Sequence, residues 1–457
     1  MKGKTQIAAM CSAAVLAAAL GALASAALAD TAATAGMDKG ASADGRIPAY
    51  AGPQATPADW SYGKLRGDYW KHKGEKPLFS IDASNVEKYA ENLTPGQIEL
   101  IKQKKGYRMD VYPSHRECGA PDFVQANTKL NATQAKMDAS GENLQSASLP
   151  GMPFPAPKTG AEAMWDHLAR YRGIGAEWQK SVTAASPRPG STEWIKAESK
   201  QTLFFPWGKK GATSPQQAGD MLYAIYFAYE TPAALAGQGL VQRDYFDKGN
   251  DTYYYFTGQR RVRRMPAYSY DAPQIGFENQ YTVDEPWLFN GQLDRFNWKL
   301  VGKKDMYIPY DDFGMFNFKD KFDDVFKPDG VSPDARRYEL HRVYVVEATV
   351  KSGVRHVASK KVFYIDEDSG LAVAGEDYDA QGKLWKVKEA YPIPVYELHG
   401  ACDVEPFVQY DLSNGRYVTD QSTIGTNTDI RWYEDSNDAR FKDDFYSSEN
   451  LRAVSER

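Results

Sequence analysis

A mainly β protein of the α+β class, built on a curved antiparallel sheet, is predicted by three observations. From about residue 190 the chain becomes a series of short aromatic and β-branched runs: "MLYAIYFAYE", "GLVQRDYF", "TYYYF", "RRVRRMP", "HRVYVVEATV", "KKVFYID" and "LWKVKEAY". Each is bounded by Gly, Asn, Asp or Pro, the punctuation of strands. The links are turn-sized, and "FDKGNDTYYYF", "IDEDSG" and, through Gly382, "YDAQGKLWKV" read as hairpins. No helix-length apolar pattern separates the runs, so consecutive strands form a meander rather than a crossover-linked parallel sheet.

Helical punctuation lies upstream. Ser84-Asn85-Val86-Glu87 has the spacing of a capping box, in which hydroxyl and carboxylate satisfy free N–H groups at a helix start. Thr94-Pro95 opens a second short helix, with proline where its missing N–H is harmless, and Gly106 closes it. A third helix is predicted over 121 to about 137, and residues 138–158 are a loop by composition. Thr159-Gly160-Ala161-Glu162 is another capping box, opening a helix predicted to end at Gly173 with Ala163, Trp165, Leu168, Ala169 and Arg172 on one face. These readings place a helical segment at 81–175, the sheet at 176–420 and a C-terminal extension at 421–457. Residues 30–80, which begin rich in Ala, Gly, Thr and Pro, read as a flexible lead-in.

The first 29 residues have the three-part layout of a secretory signal peptide: Lys2 and Lys4, an apolar run over 7–20, and Ala27-Leu28-Ala29 before Asp30. Cleavage after Ala29 and export to the periplasm are the expectation. Cys11 sits inside the apolar run, whereas a lipidation cysteine closes such a run after small residues. The formal charge of −5 falls to about −7 without the two lysines, which argues against a nucleic-acid partner. Cys118 and Cys402 then remain, an even count in an oxidising compartment, and a Cys118–Cys402 disulfide is predicted.

In "MLYAIYFAYE" one face carries Met221, Tyr223, Ile225, Phe227 and Tyr229, and the other mostly smaller groups. A bulky face needs cover from a sheet, helices or a ligand. The upstream helices are few and short, leaving room for a sheet partly closed over a cavity. The same pattern suits a solidly packed sandwich.

Signatures of common chemistries are missing. The six histidines, His72, His115, His167, His341, His356 and His399, show no metal-ligand spacing, and there is no G-x-S-x-G elbow, Walker loop or G-x-G-x-x-G. The expectation is therefore no catalytic residue, no metal and no cofactor. Acidic clusters such as "DEPW", "YDDFG" and "DEDSG" read as solvated loops, and His115 in "YPSHRECG" as a hydrogen-bonding loop residue. In "TGQRRVRRMP", Arg261 and Arg263 point one way and Arg260, Val262 and Arg264 the other. Either these guanidiniums pair with carboxylates of nearby loops, or one face meets an anionic headgroup or partner.

"GMPFPAPKTGAEAMWDHLARYRG", "YYYFTGQRRVRRMPAYSYDAPQ", "FNGQLDRFNWKLVGKKDMYIPY" and "YIDEDSGLAVAGEDYDAQGKLWKV", in this order, resemble an uncharacterised periplasmic family of Gram-negative bacteria. That family is related to the outer-membrane lipoprotein-sorting proteins LolA and LolB, and the resemblance spans roughly 80–450. The matching positions are Tyr255, the basic strand Arg261–Arg264, the loop 284–291 and the hairpin 378–384. The resemblance implies an open antiparallel half-barrel whose concave face is filled or covered by a few helices. It also implies a cavity for an acyl chain or other water-insoluble molecule, and an association with RND-type (MMPL-like) transporters and outer-membrane proteins. The chain is about twice as long as the small lipoprotein carriers.

The leading expectation is thus a non-enzymatic periplasmic carrier of a hydrophobic, lipid-like ligand. Its cavity wall is expected from Tyr223, Ile225 and Phe227, with Tyr253, Tyr255 and Trp385 beside them and Arg261 and Arg263 at the rim. The alternative is a structural adaptor that docks on an exporter or outer-membrane protein without a ligand of its own.

Overall fold

The computed structural model describes residues 38–456; the expected signal peptide, its cleavage site and Cys11 lie outside the described residues. The chain opens with β1 (Phe79–Ile81), α1 (Pro95–Gln103), β2 (Met109–Val111), α2 (Asp122–Gln134) and α3 (Gly160–Leu168). A first meander follows: β3 (Gly175–Ala185), β4 (Ile195–Phe204), β5 (Met221–Thr231), β6 (Gly239–Tyr245), β7 (Asp251–Phe256) and β8 (Arg261–Arg264). After an irregular segment, 265–295, comes the second: β9 (Phe296–Pro309), β10 (Tyr338–Val350), β11 (Lys360–Asp366), β12 (Ala372–Tyr378), β13 (Leu384–Val395), β14 (Ala401–Asp411) and β15 (Tyr417–Ser422). β16 (Ile430–Tyr433) and α4 (Ser448–Ser455) end the chain.

These sixteen strands belong to one sheet, and among the described residues two small two-stranded pairs, Lys136–Met137 with Leu144–Ser146 and Phe326–Lys327 with Gly330–Val331, stand apart from it. β15 returns to pair with β3, so the two meanders join into one antiparallel path running β9 to β15 and then β3 to β8. β16 continues the edge of β3 below β15, and β2 meets β10 through a single parallel pair, Val111 with Tyr338. The sheet does not close: β8 and β9 are each paired on one side only. Its curl can be read from one segment. Asp284 reaches Lys361 and His356 beside β11, while Asn290 bonds Tyr223 on β5. Seven strand steps of about 4.8 Å separate β11 from β5, yet residues 284 and 290 span at most ~21 Å of chain. Only a sheet wrapped around 265–295 satisfies both.

The three hairpins read from the sequence are present as β6–β7, β11–β12 and β12–β13, and the Cys118–Cys402 disulfide joins the stretch after β2 to the start of β14. Thr94 and Gln97 form the full capping box of α1, and Thr159 accepts the Glu162 N–H at the start of α3. Three expectations are corrected. Ser84 caps nothing, because its hydroxyl is held 2.6 Å from Asp82, and the helix there is the single turn Val86–Tyr89. α3 stops at Leu168 rather than Gly173; Ala169 leaves the helix (φ −100°, ψ 27°) and Arg170 and Arg172 turn into a buried carboxylate cluster. The lead-in is not free from residue 38 onward. Ile47 and Trp70 are buried, Arg66 makes a two-pronged bond to Glu397 at 2.7 and 2.8 Å, and Arg116 donates to the carbonyls of Asp38, Gly40 and Pro48. Isolated anchors in a small-residue background leave no periodic trace.

Both faces are covered. On the outer face α1 lies over β13, with Gly96 against Val387 and its N–H bonded to Glu376. α4, in the stretch read as an extension, seals β6 to β8 by burying Leu451 with Tyr226, Val241 and Tyr255. The inner face is covered by α3, against β9 and β10, and by 265–295. Among the described residues no helix is long and apolar enough to cross a membrane.

Candidate ligand-binding site

The inner face of β5 to β8 carries a row of cross-strand neighbours: Phe227 faces Leu240, Leu240 faces Tyr254, and Tyr254 faces Arg263. Over it lies a remaining cavity of about 80 Å³, lined on the sheet side by Tyr223, Ile225, Phe227, Tyr229, Leu240 and Gln242. The cover contributes Tyr268, Gln274, Tyr281, Val283 and Trp287. One carboxylate, Asp420, lines it, accepting hydrogen bonds from Tyr281 at 3.0 Å and from Thr183.

Tyr223, Ile225 and Phe227 are therefore together on the cavity wall. Tyr253 and Tyr255 are not: the register sets them opposite Val241 and Gly239, on the reverse face under α4. Tyr254 stands where they were expected. All three neighbours are tyrosines, so sequence alternation offered no way to choose the inward one. Trp385 is also elsewhere, in an outer groove of about 610 Å³ formed with Ile98, Tyr378 and Leu384 beside α1.

Arg261 and Arg263 lie on the cavity face of the edge strand β8, exposed, and make no ion pair among the described residues. Arg263 donates to Gln259 at 2.6 and 3.0 Å, while Arg264 on the reverse side pairs with Asp251 at 2.6 Å. The carboxylates of "DEPW", read as solvated, are instead deeply buried and spoken for by lysines. Asp284 bonds His356 at 2.9 Å with Lys361 3.8 Å away, and Glu285 lies 2.7 Å from Lys386 and 3.5 Å from Lys388. Asp377 completes the lattice, 3.2 Å from Lys361 and 2.7 Å from Lys388. Burial alone would raise both acids, but Lys361 beside Asp284 and Lys386 beside Glu285 hold them below the usual carboxylate range.

The cover is thus fastened unevenly. Its second half, 281–290, is pinned by this lattice, by Asn290 to the Tyr223 hydroxyl (2.7 Å) and by the Trp287 indole to Glu405 (2.9 Å). The first half lies over Ile225, Phe227 and Leu240 through apolar contacts of Tyr268, Met265, Ala272 and Ile275, and is tied nearer the surface, Asp271 accepting from the Val357 N–H at 2.9 Å and Glu278 pairing with Arg188 and Arg416 at 2.8 and 2.9 Å. Residues 80–452 match the model of the family described as Protein of unknown function (DUF1329). The chain belongs to that family.

This DUF1329 chain is 36% identical over 394 residues to the uncharacterized protein PA3922 of Pseudomonas aeruginosa, covering 84% of each. Its fold is similar to a Vibrio parahaemolyticus domain attributed to outer membrane lipoprotein sorting (13% identity, TM-score 0.44, 64% of this chain and 98% of that one). It is also similar to a DUF1329 family protein of Desulfovibrio piger (15% identity, TM-score 0.38, 60% and 91%).

Backbone strain in the DUF1329 chain collects in the cover. Tyr270, Glu278, Asn279, Trp287 and Leu288 have φ between 49° and 72°, a region costly for side chains of this size. A nearby carboxyl offers a titration handle. Burial pushes Asp244, which accepts from Gln242 and Tyr223, up to about 6. The native state therefore keeps a proton that the unfolded chain sheds near pH 4. This group's contribution is full below pH 4, is lost as pH rises to 6, and is level above. Urea titrations should show an Asp244→Asn variant without that slope, a difference of about 3 kcal/mol between pH 4 and 7.

Proposed function

We propose that the chain is a non-enzymatic periplasmic binding protein that carries a hydrophobic, lipid-like molecule with an anionic head, as part of envelope transport. The observation that carries this is the apolar row Ile225, Phe227, Leu240 and Tyr254, roofed by an irregular, strained and unevenly fastened segment instead of a helix or a second sheet. Two unpaired guanidiniums, Arg261 and Arg263, stand at the end of the same row. The cavity of about 80 Å³ is smaller than the ~150 Å³ that accommodates benzene in an apolar core. An acyl chain would therefore enter by lifting 265–277, while 278–290 stays anchored, Glu278 by Arg188 and Arg416 and Gln280 by Gln409 and Asn414. Burying ten methylenes contributes about 8 kcal/mol, which corresponds to micromolar, reversible binding. No covalent step is needed.

The test is extraction of protein purified from the periplasm without detergent, followed by mass spectrometry against a control periplasmic protein. A stoichiometric amphiphile, lost in a Phe227→Glu variant, is expected. A clean extract together with no saturable binding of a fluorescent fatty acid would overturn the carrier reading in favour of an adaptor. In the same assay Arg261→Glu with Arg263→Glu should weaken anionic amphiphiles on the order of tenfold, the worth of one charge-assisted bond. Its melting temperature should not move, since both side chains are exposed.

A further inference from the structure

We propose that His72, His115 and Glu117 form a zinc site, with Glu75 beside the imidazoles, that clasps the N-terminal segment to the body of the sheet. His72 and Glu75 lie in the turns that follow the 3₁₀ helix Arg66–Tyr69, and His115 and Glu117 on the extended stretch after β2. The second pair is held rigidly. The His115 N–H donates to Glu339 at 2.7 Å, the Glu117 carbonyl accepts from Gln54 at 3.0 Å, and the next residue is the bridged Cys118.

The two imidazoles stack with centroids 3.6 Å apart and planes 9° from parallel. Glu75 Oε1 is 2.8 Å from His115 Nε2 and 3.4 Å from His72 Nδ1, and Glu117 Oε1 is 3.3 Å from His72 Nε2. One nitrogen of each histidine and one oxygen of Glu117 fall within 4.8 Å of one another. Zinc bonds of about 2.0–2.1 Å set tetrahedral ligands ~3.4 Å apart, so binding draws the side chains together and turns the stacked rings toward one ion. Glu117 gives an independent sign: it is only 4% exposed, and its Oε2 has no hydrogen-bond partner. An orphaned, buried carboxylate oxygen is costly unless something else binds it.

The surroundings fit an ion. Glu75, held by Arg337 at 2.8 Å, lies at the far nitrogens of the imidazoles, where an outer carboxylate orients ligating histidines, and Trp70 packs its ring against both rings. A cleft of about 380 Å³, lined by Trp70, His72, Glu75 and Arg337, gives access from solvent. Lys71 Nζ lies 2.5 Å from Glu117 Oε1, but its side chain is 57% exposed on a flexible stem and can swing out. Two imidazole nitrogens with one carboxylate, and a fourth position for water, suit zinc, whereas calcium and magnesium prefer all-oxygen shells. No short motif announces the site, because the histidines come from separate segments.

The experiment uses the whole mature chain, stripped with chelator and titrated calorimetrically with ZnCl₂ at neutral pH. One site with a dissociation constant below ~1 μM is expected, with losses of about thirtyfold or more in His72→Gln and in His115→Gln, within the 10- to 100-fold scale of ligand-shell changes. Lys71→Ala should bind tighter, and His399→Gln, exposed and outside the cluster, should bind as wild type. Zinc should also slow proteolysis within residues 57–77, and chelation should hasten it. No saturable binding by wild type, or equal binding by both histidine variants, overturns the proposal. Should either histidine variant fail to fold, Lys71→Ala decides: tighter binding with a wild-type circular dichroism spectrum supports the site, and unchanged binding refutes it.

Discussion

Replacing Asp403 with alanine should lower the stability of the protein by about 3–5 kcal/mol, the scale of breaking a buried ion pair from one side. Asp403 has no exposed surface and accepts from Arg170 Nε at 3.1 Å, Arg172 Nε at 3.0 Å and the Trp432 indole at 2.9 Å. Without it two guanidiniums remain in the interior, with Glu405 as the neighbouring acid; Arg172 also donates to Glu405. Burial favours the neutral form of Asp403, yet Arg172 and Arg170 hold it below the usual carboxylate range. Denaturant midpoints would measure the loss; a change under ~1 kcal/mol would mean that water replaces the missing carboxylate. Because the Arg172 guanidinium lies 4.6 Å from the Trp287 ring and Trp287 belongs to the cover, the variant should also weaken binding of the proposed amphiphile.

The second large effect belongs to the Cys118–Cys402 bridge. Serine at both positions should destabilise by roughly 3–5 kcal/mol, since the bridge spans 284 residues and the closed loop restricts the unfolded chain. The bridge lies beside the Gly119 N–H to Gly400 carbonyl bond at 3.0 Å, a junction that Tyr50, Pro53 and Gln54 also pack against. Melting curves with and without reductant, alongside the double serine variant, measure this. Coincident curves would show that native contacts already hold that junction closed.

What could be read from the sequence was mainly local or a matter of parity. Turn chemistry between β6 and β7 or β11 and β12 is contained in a few residues, as is the Thr94 capping box, and two cysteines in an oxidising compartment have one partner each. What could not be read depended on distant neighbours. Lys361, Lys386 and Lys388 look like solvated strand residues, and become interior only because Asp284 and Glu285 arrive on a separate segment. Tyr254 cannot be told from Tyr253 or Tyr255 until the register with β6 is fixed. Arg170 and Arg172 continue a helical pattern on paper, but their partner Asp403 is more than two hundred residues away in sequence and draws them out of the helix.

A sheet that stays open has two seams along which a second copy could add itself as another strand. On one seam stand the exposed Arg261, Arg263 and Arg264, and on the other the exposed Lys299, Lys303 and Lys304, next to a bulge between Leu300 and Gly302. Arg264 and Lys303 are paired with Asp251 and Glu367, but Arg261, Arg263, Lys299 and Lys304 leave an excess of cations on both seams, so two copies meeting seam to seam repel, and the bulge breaks the flat ladder that stacking needs. The molecule thus keeps the wrap of an incomplete barrel with edges ill-suited to adding another strand.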